Sequence, residues 1–181
     1  TTEIAVIALS GIVGDQSIRT AGDEFTNAII DYMKRGHNML IGERTAEQIK
    51  INVGSALTEL ENPPDDYAVN GRDLVTGIPR QLMISYVEIA EAINDSITKI
   101  EEAILKALEN TPPELSSDIY KTGLYLTGGG ALLRGLDKRI SKITQLPVHI
   151  ADDPLRAVVR GTGIALKNTD RFSFLIPRKS V

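Results

Sequence analysis

The hydrophobic pattern is longest between Tyr86 and Glu109, where Ile89, Ile93, Ile97, Ile100, Ile104, Ala107 and Leu108 fall on one stripe. Spacing of three and four predicts an amphipathic helix. Burying such a stripe at roughly 25 cal/mol per Å² makes it the scaffold of a core rather than a carrier of chemistry. Asn94-Asp95 is a point where it could bend. Two helices are predicted before it. One runs from about Asp23 to Arg35 on Phe25, Ile29, Ile30, Tyr32 and Met33, with Gly36 as its stop. The other runs from Glu43 to Leu57, with Ile49, Val53, Ala56 and Leu57 on one face. After it, Thr111-Pro112-Pro113-Glu114 starts a helix with Leu115, Ile119 and Tyr120 as its apolar face. Asp152-Asp153-Pro154 is expected to cap a last helix holding Ala157, Val158, Gly161, Ile164, Ala165 and Leu166.

Strand-like runs fill the intervals. Ile4 to Leu9, Ile12-Val13 and Ser17-Ile18-Arg19, separated by glycine turns, predict an antiparallel meander. Past the breaker cluster Asn62-Pro63-Pro64-Asp65-Asp66, Tyr67 to Asn70 and Gln81 to Ile84 read as two strands. Their connection, Gly71 to Pro79, is long for a hairpin and expected to be exposed. Leu124-Tyr125-Leu126-Thr127 runs into Gly128, Gly129 and Gly130, and a helix-compatible segment then reaches about Thr144: a buried strand, a tight turn and a helix start. Pro147 to Ile150 is a further short strand, and the tail from Phe172 to Pro177 is apolar enough to dock or to bind a partner. A strand meander, an inserted helix-and-hairpin section, then β-α-β-α predicts an α/β fold: a mixed sheet with flanking helices and a smaller excursion.

With 181 residues, a formal charge of -4 and acidic and basic side chains interspersed, the chain has the composition of an ordinary globular protein. It shows no basic stripe for nucleic acid. The absence of cysteine removes disulfides, thiolate catalysis and cysteine metal sites. No apolar run approaches the roughly 20 residues that span a bilayer. Thr1-Thr2-Glu3 leads straight into an apolar strand with no initiating methionine, so the chain looks cut from something longer.

Candidate chemistry gathers at two places. Without Cβ atoms, the backbone of Gly128, Gly129 and Gly130 lets a flat or phosphorylated molecule approach the main chain, although a glycine turn that only packs strand on helix fits the pattern equally well. Glu47 and Lys50 stand three apart on a helix, which by itself reads as a solvated ion pair. His37 and His149 lack ligand spacing and read as surface or packing residues, so no metal site is expected.

Taken together, three segments in order resemble the second half of the actin, heat-shock-70 and sugar-kinase superfamily: Thr1-Thr2-Glu3 before a strand, Ala21-Gly22-Asp23-Glu24 before a helix, and Leu126-Thr127-Gly128-Gly129-Gly130 before another. Closer still, Ile41 to Glu47, Thr111 to Leu115, Leu126 to Asp137 and Asp153-Pro154-Leu155 resemble the MreB family of rod-shape-determining bacterial actins, over nearly all of the chain up to Lys167. The resemblance implies an actin-like, ribonuclease-H-like ATPase half. Residues 1–20 and 89–181 would form the larger subdomain and 21–88 the smaller inserted one. It places Thr1 and Thr2 at the end of a phosphate loop, Gly22 and Asp23 beside sugar and phosphates, Glu47 and Lys50 on ribose and adenine, and Gly128, Gly129 and Gly130 over the nucleoside.

The ligand implied is ATP or ADP with Mg²⁺ carried on the nucleotide in the full-length protein. No residue here matches the family's catalytic glutamate. Glu3 lies on the strand just past the loop, so the chain alone is expected to be inactive as an ATPase. The implied partners are further copies in a head-to-tail filament, a membrane-anchored adaptor and the cell-wall elongation proteins, at the inner face of the cytoplasmic membrane. Direct lipid binding by this chain is not expected. The rival readings are a nucleotide-independent scaffold of the same fold, and another ATPase of the superfamily, either a chaperone or a divisome actin.

Overall fold

A computed structural model describes residues 1–8 and 11–172. The apolar stripe forms the long helix α3 (Tyr86–Glu109), which is continuous through Asn94-Asp95. Its start is fixed by a capping box, in which the Ser85 hydroxyl accepts from the Glu88 amide and the Glu88 carboxylate accepts from the Ser85 amide. The helix runs unbroken past the point where a bend could fall. Asn94 instead turns its side-chain oxygen to Arg139, and its carbonyl also accepts from the Thr98 hydroxyl.

Ile89, Ile93 and Ile97 are fully buried and join Phe25, Ile29 and Met33 of α1 (Gly22–His37) with Ala46, Ile49 and Val53 of α2 (Glu43–Val53) in one core. α1 ends at Asn38, which is left-handed at φ 48° and leads into the two-residue strand β3 (Met39–Leu40). That strand is too short to leave a period in the sequence.

The three runs expected as a meander form one hairpin. β1 (Thr2–Ala8) pairs antiparallel with β2 (Gly11–Ile18), which absorbs Ile12-Val13 and Ser17-Ile18 into a single strand despite Gly14. The expectation for Leu9 and Ser10 lies outside the described residues. β4 (Tyr67–Asp73) and β5 (Pro79–Ile84) are longer than predicted, so their connection shrinks to residues 74–78. Gly71 and Pro79 look like breakers but are strand residues. A Cβ on Gly71 would sit 2.6 Å from Met39 Cγ, so glycine is what lets β3 lie alongside.

α2 stops at Val53, four residues short of the expectation, because Gly54 turns extended and Ser55 pairs with Arg134. α4 (Pro113–Thr122) starts at its proline as predicted, but it buries none of its residues and Tyr120 is exposed. β6 (Leu124–Leu126) and β7 (Val148–Ile150) pair in parallel, and α5 (Leu136–Thr144) crosses between them. Among the described residues, antiparallel and parallel pairings thus occupy three small sheets.

The last helix, α6 (Ala157–Lys167), departs most from expectation. Arg156, not an aspartate, occupies its cap position without a side-chain bond, and Val158, Val159, Ile164 and Leu166 remain exposed. The expected docking of the tail concerns residues 173–177, which lie outside the described residues.

Candidate functional site

α1 begins at Gly22 with no side-chain cap, so the amides of its first turn are not claimed by the preceding residues' side chains. Asp23 in that turn is exposed, and its side chain makes no hydrogen bond among the described residues. α2 lies against α1, and one lysine ties them together. Lys50 Nζ donates to the Gly22 carbonyl at 2.9 Å and to Thr26 Oγ1 at 3.1 Å, and it stands 2.6 Å from Glu47 Oε2. These acceptors match the ammonium's three hydrogens, and the side chain is only 15% exposed. The Lys50 charge is therefore taken up by acceptors of the protein itself.

Glu47 is placed differently. Oε2 takes both the Lys50 ammonium and the Thr26 hydroxyl, at 2.6 and 2.9 Å, while no hydrogen bond falls on Oε1 among the described residues. Its side chain is 45% exposed. The Lys50 hydrogen bond holds the carboxyl below its ordinary range, against an opposing push from partial burial and with help from Thr26. The arrangement is a charged acceptor with one oxygen fixed and the other open. Thr26 was not singled out in the sequence. The one signal for it is its place four residues after Gly22, on the same helical face, where the Gly22 carbonyl, 3.0 Å from its hydroxyl oxygen, is the alternative acceptor for its single proton.

Thr2 reaches this neighbourhood through its hydroxyl, which donates to the Thr20 carbonyl at 2.7 Å just ahead of α1. Thr1, just ahead of β1, is exposed. Glu3 accepts from the Ser17 hydroxyl across the hairpin at 2.7 Å.

The glycine turn forms the second part of the candidate site. Gly128 is left-handed at φ 80°, and its amide donates to the Pro154 carbonyl. A short 3-10 helix, Gly129–Leu132, then leads away from it. A side-chain carbon at Gly128 or Gly130 would meet no atom within 4 Å, and one at Gly129 would reach only Leu155 Cδ2 at 3.5 Å, so the main chain is open on that side. The turn and α2 meet at Gly54, where a Cβ would lie 3.1 Å from Leu133 Cδ1, and at Arg134, whose guanidinium donates to the Ile51 and Gly54 carbonyls.

An open glycine backbone, an uncapped helix start and a half-free carboxylate suit a polar ligand with an anionic end and hydroxyls. No three acidic or histidine side chains gather as a metal site among the described residues.

The family model described as MreB/Mbl protein matches residues 1–173. The chain belongs to the MreB/Mbl family. The cell shape-determining protein MreB of Escherichia coli strain K12 is 48% identical over 173 residues, covering 94% of this chain and 48% of its own length. The cell shape-determining protein Mbl of Bacillus subtilis strain 168 is 44% identical over 171 residues, covering 94% and 51%. The chain thus spans about half the length of these curated MreB/Mbl relatives. Among solved structures, MreB5 of Spiroplasma citri bound to AMPPNP superposes at a TM-score of 0.88 with 38% identity, over 93% of this chain and 50% of that one. The same protein bound to ADP gives the same TM-score. The fold is actin-like, as the sequence led one to expect.

Proposed function

We propose that this chain is the C-terminal half of a bacterial actin that binds ATP or ADP, and that it supplies the adenosine side of the nucleotide cleft. The observation that carries the reading is the Glu47 carboxylate: Oε2 is clamped by Lys50 and Thr26, and Oε1 is left to accept from hydroxyls such as those of a ribose. Gly128, Gly129 and Gly130 form the opposite wall, over the nucleoside. Gly22, Asp23, Thr1 and Thr2 lie toward the phosphates, with Mg²⁺ carried on the nucleotide through water. The bound AMPPNP and ADP of Spiroplasma citri MreB5, at 38% identity, support a nucleotide as the ligand. Residues 21–88 form the smaller inserted subdomain in this reading, and 1–20 with 89–181 the larger.

The complete protein polymerises head to tail beneath the cytoplasmic membrane and directs rod shape with a membrane-anchored adaptor and the cell-wall elongation machinery. The names of the Escherichia coli and Bacillus subtilis relatives, cell shape-determining proteins, support the shape role. The tip between β4 and β5 is a contact surface for the next copy. Leu74, Val75 and Ile78 are exposed there, on a turn pinned by Asp73 Oδ1, which accepts from the Val75 and Thr76 amides. Among the described residues no helix is long and apolar enough to cross a membrane, consistent with attachment through a partner.

Titrating the protein, extended to the length of its relatives, with fluorescent ATP and imaging it by electron microscopy tests the reading. Saturable binding and filaments are expected. Absence of both would identify a nucleotide-independent scaffold instead.

A further inference from the structure

The two walls of the proposed site come from distant stretches of chain, and one corner joins them. α2 leaves its helical course at Gly54, where a Cβ would lie 2.2 Å from the Lys50 carbonyl oxygen and 3.1 Å from Leu133 Cδ1, so only glycine fits. Immediately after it, Ser55 pairs with Arg134, and the Ala56 amide donates to the Arg134 carbonyl at 2.8 Å. On the other side the buried Leu133 donates its amide to the Gly130 carbonyl at 3.1 Å. The corner is therefore one helical turn from Lys50 along α2 and one tight turn from Gly130. The Arg134 side chain closes it, with Nη1 donating to the Ile51 carbonyl at 3.2 Å and to the Gly54 carbonyl at 3.4 Å.

We infer that Arg134 is a positioning residue for the nucleotide, one that registers the Gly128 to Gly130 turn against Glu47 and Lys50 and so sets the width of the slot between them; the inference rests on the nucleotide reading above. A guanidinium is suited to the task. The carbonyls in the last turn of α2 lack intrahelical partners and carry the negative end of the helix dipole, which a fixed cation neutralises. Its terminal Nη1 carries two hydrogens and reaches both carbonyls, on a group that keeps its charge at any working pH. Because the main chain of Arg134 is paired with Ser55 and Ala56 while its side chain grips α2, any shift of α2 relative to the glycine turn must break these bonds. Arg139 holds the Ala56 carbonyl, two residues further on, at 3.1 Å, but it is also bound to Glu101, Asn94 and Thr98 and anchors the fold as a whole.

The test is calorimetric titration of the full-length protein with ADP and with AMP, alongside its thermal unfolding, for wild type, Arg134→Met, Arg134→Lys and Lys138→Gln. Arg134→Met is expected to weaken ADP and AMP by the same factor, roughly tenfold, the scale of one charge-assisted hydrogen bond. Its unfolding should stay above the assay temperature, and Arg134→Lys should recover part of the affinity. Lys138→Gln, which removes an exposed bond between α5 and Glu61, is expected to leave affinity unchanged. A helix cap with a purely structural role would lower the unfolding temperature of Arg134→Met and leave both affinities at the wild-type value, which would overturn the inference. If Arg134→Met does not fold, Arg134→Lys decides it: wild-type affinity in that variant overturns the inference. Wild-type protein that binds neither nucleotide would instead overturn the nucleotide reading itself.

Discussion

Lys50 Nζ lies 2.6 Å from Glu47 Oε2 and 2.9 Å from the Gly22 carbonyl, so a single ammonium fixes the carboxylate on α2 and the start of α1 together. Removing it should loosen the pairing of the two helices. Lys50→Met is expected to destabilise the fold by about 2 kcal/mol, the scale of hydrogen bonds to a charged group. It should also let the Glu47 pKa rise toward its ordinary value. Urea unfolding and NMR titration of the carboxyl read the two effects.

Arg139 is the stronger anchor. It holds Glu101 through two bonds of 2.7 and 3.0 Å, with both side chains largely buried at 16% and 12% exposure. Arg139→Met strands a buried carboxylate and is expected to cost about 3 kcal/mol. Adding Glu101→Leu should recover most of the loss, and a double-mutant cycle by denaturant unfolding measures the recovery.

Stability in acid should depend on Glu88. Burial pushes its carboxyl upward, but hydrogen bonds from the Ser85 amide and hydroxyl, with His37 3.0 Å away, win and hold it below the ordinary range. A depressed folded pKa contributes stability that is complete above the unfolded value, roughly 4.3, and is lost as pH falls through the folded value. Glu88→Gln is expected to lower stability at neutral pH and to flatten its decline below about pH 4, read by denaturant midpoints across that range.

The tip of the β4–β5 hairpin tests assembly separately from folding. Val75 is 81% exposed, so Val75→Glu is expected to change stability by less than about 0.5 kcal/mol while suppressing sedimentation of polymer by the full-length protein.

Much of this molecule was legible in the sequence where a period ran long enough. The isoleucine stripe of α3, the helices after Gly22 and Gly42 and the strand into Gly128 lie where their patterns put them. What escaped was set by contacts between distant residues. Nothing in Ala56 and Leu57 themselves says that the helix has ended: Gly54 turns the chain, and the course beyond it is fixed by Arg134, almost eighty residues away. Gly71 reads as a breaker until Met39 is seen beside it. At the candidate site, Gly22, Glu47 and Lys50 were visible as residues, but the saturation of the Lys50 ammonium by Thr26 and the Gly22 carbonyl was not, since spacing within a helix says nothing about which acceptors the neighbouring helix presents. The expected apolar face of α6 marks the opposite case, a clear period whose side chains remain exposed.

The central claim is that the glycine turn and the Glu47–Lys50 pair hold a nucleoside between them, and Gly129→Val tests it most directly. Gly129 has no left-handed backbone and its Cβ position meets only Leu155 at 3.5 Å, so the fold should tolerate a side chain that blocks the slot. Calorimetric titration of the full-length protein with ADP is expected to give saturable binding in the wild type and none in Gly129→Val at equal thermal stability. An unchanged dissociation constant in the variant would contradict the account.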